Sequence, residues 1–90
     1  YFNEKTKIPA RNVHTTMEIV KKEVSGLGLK IDTTDGVKIW YEDGWVLMRP
    51  SGTEPIFRIF AEAKNQKRAE ELMQEGLSMV TRAEKLSTLK

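Results

Sequence analysis

The sequence contains no cysteine, so disulfides and thiolate metal sites are excluded. Its one histidine, His14, excludes a histidine-rich metal centre. No apolar run approaches the roughly 20 residues that a membrane-spanning helix needs. No secretory signal pattern stands at the start, and the expected location is the cytoplasm, with no membrane partner. A large charge of one sign is also lacking: 15 Lys and Arg oppose 13 Asp and Glu, a net charge of +2. That balance favours anionic partners only weakly and does not by itself point to nucleic acid. Ninety residues allow one domain with a modest core. The chain opens on Tyr1 and not Met, as expected of a piece of a longer protein or of a processed chain.

What is present falls into two periodicities. Residues 1–13 read as a polar linker with Pro9 as a breaker and a short possible strand around Lys7–Ala10. Thr15 and Glu18 stand at capping-box spacing, with Thr15 as the N-cap. Met17, Val20, Val24 and Leu27 recur at steps of three and four, one stripe of a helix expected over Thr16–Ser25. Gly26 or Gly28 supplies the stop. The period then changes to two. A short strand is expected at Leu29–Ile31, followed by an Asp35-Gly36 turn. Val37, Ile39 and Tyr41 alternate with Lys38, Trp40 and Glu42, a half-buried strand. Asp43-Gly44 predicts a tight type I′ hairpin into a partner strand at Trp45–Met48. Ile56–Ala63 is a further strand.

Asn65 caps a last helix expected over Gln66–Lys85. Its apolar face carries Ala69, Leu72, Met73, Gly76, Leu77, Val80 and Ala83. The last residues, Ser87–Lys90, read as a frayed tail, so the folded domain is set at 14–87 with a tail at 88–90. One stripe per helix and several short strands predict an α+β domain. It is a small, mainly antiparallel sheet with both helices packed on one face.

The connection between two apolar strands, Arg49-Pro50-Ser51-Gly52-Thr53-Glu54-Pro55, is the segment that carries chemistry. Pro50 and Pro55 fix φ and remove two backbone donors. Gly52 lets the backbone approach a bound group closely. Ser51 and Thr53 add hydroxyls beside backbone N–H groups, and Arg49 offers a guanidinium that can fork onto two oxygens. Arg58, two residues into the next strand, can lean back toward the loop. These groups suit a tetrahedral oxyanion. From the residues alone, an ordinary surface loop fits as well, because Ser, Gly, Thr and Pro are common loop residues.

The run Arg49-Pro50-Ser51-Gly52-Thr53-Glu54-Pro55-Ile56-Phe57-Arg58, followed by Ala61-Glu62-Ala63, resembles the phosphate-binding loop of the α-D-phosphohexomutases. Asp35-Gly36-Val37-Lys38 and Asp43-Gly44-Trp45-Val46 are similar to that family's lead-in to the loop. The resemblance covers about Met17 to Leu86. It implies the last of four domains of a phosphoglucomutase or phosphomannomutase type enzyme, with a phosphoglucosamine mutase as the alternative. The implied fold is TATA-binding-protein-like. The implied reaction interconverts hexose 1-phosphate and hexose 6-phosphate through a phosphoserine and a bisphosphorylated intermediate. By match to the motif, Arg49, Ser51, Gly52, Thr53 and Arg58 would hold the phosphate that is not being transferred. The implied partners are a phosphosugar substrate and three other domains.

No catalytic residue is assigned in this chain. The family's phosphoserine segment has no counterpart here, so the piece alone is expected to be inactive. Ser51 has no evident general base and reads as a donor, not a nucleophile. No cofactor is expected in this piece, although the resemblance implies Mg²⁺ in the parent enzyme. Asp32, Asp35 and Asp43 do not reproduce the family's metal loop and read as turn residues. Glu54 could order the loop or pair with Arg49 or Arg58 when phosphate is absent. His14 reads as a surface residue, and Trp40, Trp45, Phe57 and Phe60 as core or sheet-face packing. The alternative of another class is a stand-alone binding module, for instance for nucleic acid.

Overall fold

The computed structural model describes residues 1–89. The chain runs β1 (Phe2–Pro9), α1 (Val13–Ser25), β2 (Lys30–Asp32), β3 (Val37–Tyr41), β4 (Gly44–Pro50), β5 (Ile56–Ala63) and α2 (Gln66–Thr88). All strand pairs are antiparallel, in the spatial order β1-β5-β4-β3-β2. The domain is α+β, as the two periodicities require. Alternation sends Val37, Ile39, Val46, Met48, Phe57 and Ile59 to one side of the sheet, where all are fully buried. Met17, Val20 and Val24 of α1 and Ala69, Leu72, Val80 and Ala83 of α2 join them in a single core. Both helices therefore cover one face. The other face is open and carries the residues between the buried ones.

Strand β5 spans Ile56–Ala63, as its pattern predicts. β1 is longer than the short segment expected around Lys7–Ala10. It pairs with β5 from Phe2↔Ala63 to Pro9↔Ile56. Its inward positions Glu4, Thr6 and Ile8 are only partly buried, so an edge strand held by backbone bonds shows little apolar alternation. Pro9, without a donor, is tolerated at the end of an edge strand.

The helix caps and ends differ in detail. Asn12, not Thr15, is the N-cap of α1; its Oδ1 accepts from the Thr15 N–H at 3.4 Å. The helix thus starts three residues before the expected position, at Val13. Leu27 lies beyond the helix and is 46% exposed. Asn65 caps α2 as expected, accepting from the Arg68 N–H at 2.8 Å. α2 continues to Thr88 because its last turn is docked: Ser87 is buried, and the Thr16 hydroxyl donates to its Oγ at 3.3 Å. Of the expected tail, Lys90 lies outside the described residues.

The hairpin between β3 and β4 is tight but not type I′. Tyr41 pairs with Gly44, leaving Glu42-Asp43 as the loop. Among the described residues, positive φ occurs only at Gly28 and Gly36. Gly44 is needed for a different reason: a Cβ there would stand 2.2 Å from the Glu62 carbonyl oxygen. Gly36 combines φ +92 with close packing, since its Cβ would meet the Met48 carbonyl oxygen at 2.4 Å. The Asp35-Gly36 turn is therefore pressed against β4.

A polar cluster ties this hairpin to α2. The Tyr41 hydroxyl donates to Glu75 Oε1 at 2.8 Å, and Arg68 donates to Asp43 Oδ2 at 2.8 Å. Burial and the Glu75 bond push the Tyr41 phenol up to about 12. Because the folded state favours the protonated phenol, its contribution is complete below pH 10, the ordinary value, and is lost as pH rises toward 12. Tyr41→Phe should remove this share of the alkaline stability loss. Urea midpoints measured between pH 9 and 12 check it, and an alkaline loss as steep in the variant as in the parent would contradict it.

Candidate functional site

Arg49 and Arg58 are held at the far end of the β4–β5 hairpin. They are direct cross-strand partners, Arg49↔Arg58, and both project from the open face. Phe57 and Pro50 form the next pair toward the turn, with Phe57 fully buried as the floor beneath the loop. Two like charges placed opposite each other disfavour the sheet by themselves. Each is relieved by one carboxylate. Arg49 Nε lies 3.4 Å from Asp35 Oδ2, and Arg58 Nη2 lies 3.6 Å from Glu54 Oε1. Of the two pairings open to Glu54 in the sequence, the structure has the one with Arg58. All four side chains are about half-exposed, so these pairs add little stability. An incoming anion can displace the carboxylates at small cost.

The backbone donors of the loop can be followed one by one. Pro50 and Pro55 have none. The Ser51 N–H donates to the Ile56 carbonyl at 3.0 Å, and the Ile56 N–H to the Glu54 carbonyl at 2.8 Å. The Thr53 and Glu54 N–H groups both donate to Ser51 Oγ at 3.3 Å. Only the Gly52 N–H has no hydrogen-bond partner among the described residues. The loop is thus less of an open donor nest than its composition suggests. With both lone pairs of Ser51 Oγ engaged, its O–H is left as an outward donor. That geometry suits a donor better than a nucleophile.

Gly52 has an ordinary φ, and a Cβ there would meet nothing within 4 Å. No contact within the fold requires glycine at this position, and its bare backbone is open to approach from outside. Thr53 is exposed beside it. The structure therefore brings Arg49, Ser51, Gly52, Thr53 and Arg58 to one hairpin end. An open hollow of about 560 Å³ borders Arg49 and runs along the sheet past Leu47, Trp45 and Phe60.

The remaining sequence candidates are dispersed. Asp32 accepts from the Thr34 N–H at 2.8 Å, and this bond holds its carboxyl below the usual carboxylate range. Asp35 faces Arg49 and Asp43 faces Arg68. Among the described residues, no group of three Asp, Glu, His or Cys side chains converges as a metal ion requires. His14 is exposed on α1. No described helix is long and apolar enough to cross a membrane.

The open face holds more than the sequence revealed. Lys5, Lys7, Lys30 and Lys38 share it with Trp40, Trp45, Phe60 and the two arginines. These residues lie in different strands, and only the register brings them together. Lys38 Nζ lies between the two indoles, 4.1 Å from the Trp40 ring and 4.2 Å from the Trp45 ring. Trp45 Nε1 donates to Glu62 at 3.2 Å. The aromatic end of the face is thus occupied by its own cation.

Comparison with known proteins agrees with this architecture. Residues 3–77 match the family described as phosphoglucomutase/phosphomannomutase, C-terminal domain. A phosphoglucomutase/phosphomannomutase of Thermococcus kodakarensis is 46% identical over 87 residues, 92% of this chain and 18% of the relative. A phosphoglucosamine mutase of Methanocaldococcus jannaschii is 41% identical over 86 residues, 92% of this chain and 19% of the relative. The chain thus spans about a fifth of the length of these relatives. A crystal structure of a phosphoglucomutase/phosphomannomutase family protein from Burkholderia thailandensis shares the fold. Its TM-score is 0.62 at 22% identity, covering 90% of this chain and 18% of that one. By the match over most of its length, the chain belongs to the phosphoglucomutase/phosphomannomutase C-terminal domain family.

Proposed function

We propose that this domain holds the non-reacting phosphate of a hexose phosphate within a phosphohexomutase. One observation carries the reading. Two arginines in register flank a loop whose glycine is required by no contact within the fold. The forked guanidinium of Arg49 and that of Arg58 take the phosphate oxygens. The Gly52 N–H and the hydroxyls of Ser51 and Thr53 complete the shell. Glu54 and Asp35 neutralise the arginines until the phosphate arrives.

In the parent enzyme, a phosphoserine elsewhere would exchange its phosphoryl group with the sugar through a bisphosphorylated intermediate. The sugar reverses between the two half-reactions. The loop must then hold a 6-phosphate in one and a 1-phosphate in the other. It therefore reads phosphate and leaves the hexose to other domains, whether the parent acts on glucose, mannose or glucosamine phosphates. Mg²⁺ would serve the phosphoryl transfer and be held by other parts of the parent enzyme, since no group of three Asp, Glu, His or Cys side chains converges among the described residues. The chain by itself should not turn over sugar phosphates, and the expected setting is the cytoplasm.

The test is binding of both regioisomers to the 90-residue chain. Glucose 1-phosphate and glucose 6-phosphate should bind with similar dissociation constants on the order of millimolar, about 4 kcal/mol. Unphosphorylated glucose should not bind. A preference for one regioisomer beyond tenfold would contradict a shared clamp. The basic and aromatic open face favours a second reading, a single-stranded nucleic-acid platform. Lys38 between the indoles argues against it, since a base stacking on that side of either ring would have to displace the ammonium. Oligonucleotide binding tighter than that of sugar phosphate, with a steep salt dependence, would favour the platform.

A further inference from the structure

Three cations stand in one row across the open face. Register pairs Lys7 of β1 with Arg58 of β5, and Arg58 with Arg49 of β4. Directly opposed residues of antiparallel strands point to the same side, with Cβ atoms about 4.5–5.5 Å apart. At ordinary strand spacing the row is about 10 Å long. Arg49 and Arg58 are each offset by one carboxylate. Lys7 makes no ion pair among the described residues. It lines an open hollow of about 370 Å³ with Lys5, Thr6, Arg58 and Phe60. The end of β1 is also tied to the loop, since the Ala10 N–H donates to the Pro55 carbonyl at 2.8 Å.

We propose that Lys7, on the edge strand, is a third cationic contact for the phosphate held at the Arg49–Arg58 loop. The inference rests on the reading of that loop as a phosphate site. The two arginines and their two carboxylates cancel in charge, so they alone offer a phosphate no net attraction at long range. Lys7 makes the row positive. With Asp35 and Glu54 in place the three cations and two carboxylates sum to +1, and a phosphate monoester of about −1.5 to −2 charges at pH 7 is drawn to that excess before the carboxylates swing away. The row therefore attracts the anion first and forks onto it second. A different role for an edge lysine is to block pairing with a second chain. The two roles separate by experiment.

The 90-residue chain and its variants Lys7→Gln, Lys7→Arg, Arg58→Gln and Lys67→Gln are titrated with inorganic phosphate and with glucose 6-phosphate at fixed ionic strength. Backbone amides are followed by NMR. Lys67 is exposed on α2, away from the open face, and controls for the loss of one positive charge. Lys7→Gln should weaken both ligands by about three- to tenfold. Lys7→Arg and Lys67→Gln should stay within about twofold of the parent chain. Lys7→Gln should also melt at or above the parent's temperature, because like charges in the row are relieved. Unchanged phosphate affinity in Lys7→Gln, alongside clear loss in Arg58→Gln, overturns the role of Lys7 and leaves the loop reading standing. Self-association of Lys7→Gln with intact affinity assigns the lysine to edge protection and likewise overturns the proposal. Absence of any binding by the parent chain removes both readings together.

Discussion

Phe57→Ala is expected to lower the unfolding free energy by about 3–5 kcal/mol, a large share of the 5–15 kcal/mol typical of small domains. Phe57 is the largest of the fully buried side chains. It pairs with Ile8 on one side and Pro50 on the other, at the foot of the loop. Truncation leaves a cavity there, and the close-packed interior relaxes only partly into it. Phe57→Leu keeps most of the volume and should cost less than half as much. Urea unfolding followed by far-ultraviolet circular dichroism measures both. A loss below about 1 kcal/mol for Phe57→Ala would mean that the core under the loop is not packed as described. The two variants also separate stability from binding. Phe57→Leu should bind phosphate nearly as well as the parent chain, because it touches no ligand.

Arg49→Ala in a full-length enzyme carrying this domain should weaken binding of both monophosphates by about 10- to 150-fold. This corresponds to roughly 1.5–3 kcal/mol for a hydrogen bond to a charged group. The fold should be unaffected, since the Arg49–Asp35 pair is half-exposed at 3.4 Å and contributes little. Removing Arg49 even relieves its repulsion with Arg58. Arg49→Lys should recover only part of the loss, because a point charge cannot make the two-pronged contact. Steady-state kinetics in both directions, with direct binding of each monophosphate, checks this. If one monophosphate kept its full affinity while the other lost it, the loop would not be a clamp shared by both half-reactions.

Elements with a strong apolar period were legible in the sequence. β5 is dense in apolar residues on its inward side, and both helices show one buried stripe. The core follows from those patterns without any knowledge of register. β1 was mostly missed for a physical reason. An edge strand whose inward residues are Glu4, Thr6 and Ile8 is stabilised by its ladder to β5, and a ladder has no sequence signature. Capping-box spacing in the sequence points to Thr15, whereas the N-cap is Asn12, a residue type at least as good in that role. The Asp43-Gly44 signal gave the hairpin correctly but the wrong loop residues. There the glycine answers to the Glu62 backbone and not to a positive φ.

The candidate site was legible as a string of residues and not as a geometry. Arg49, Ser51, Gly52, Thr53 and Arg58 are close in sequence, so their proximity needed little folding. Three features required the fold: the direct pairing of Arg49 with Arg58, the relief of Arg49 by Asp35, and the place of Lys7 in the same row, whereas a pairing of Glu54 with Arg49 or Arg58 was already open in the sequence. The closing of two loop N–H groups onto Ser51 Oγ depends on a local turn that Ser-Gly-Thr composition permits but does not dictate.

The central claim is that the Arg49–Arg58 hairpin end receives a phosphate. Residue-resolved NMR of the 90-residue chain, titrated with glucose 6-phosphate to tens of millimolar, tests it most directly. The account predicts saturable shifts centred on the Gly52, Thr53 and Glu54 amides and on the Arg49 and Arg58 Nε–H signals. The Glu54 carboxylate should move as it leaves Arg58. Glucose at the same concentration should move none of them. Shifts confined to residues outside Arg49–Arg58, for instance at the Trp40 and Trp45 indoles, or no saturable shift at all, would contradict the account.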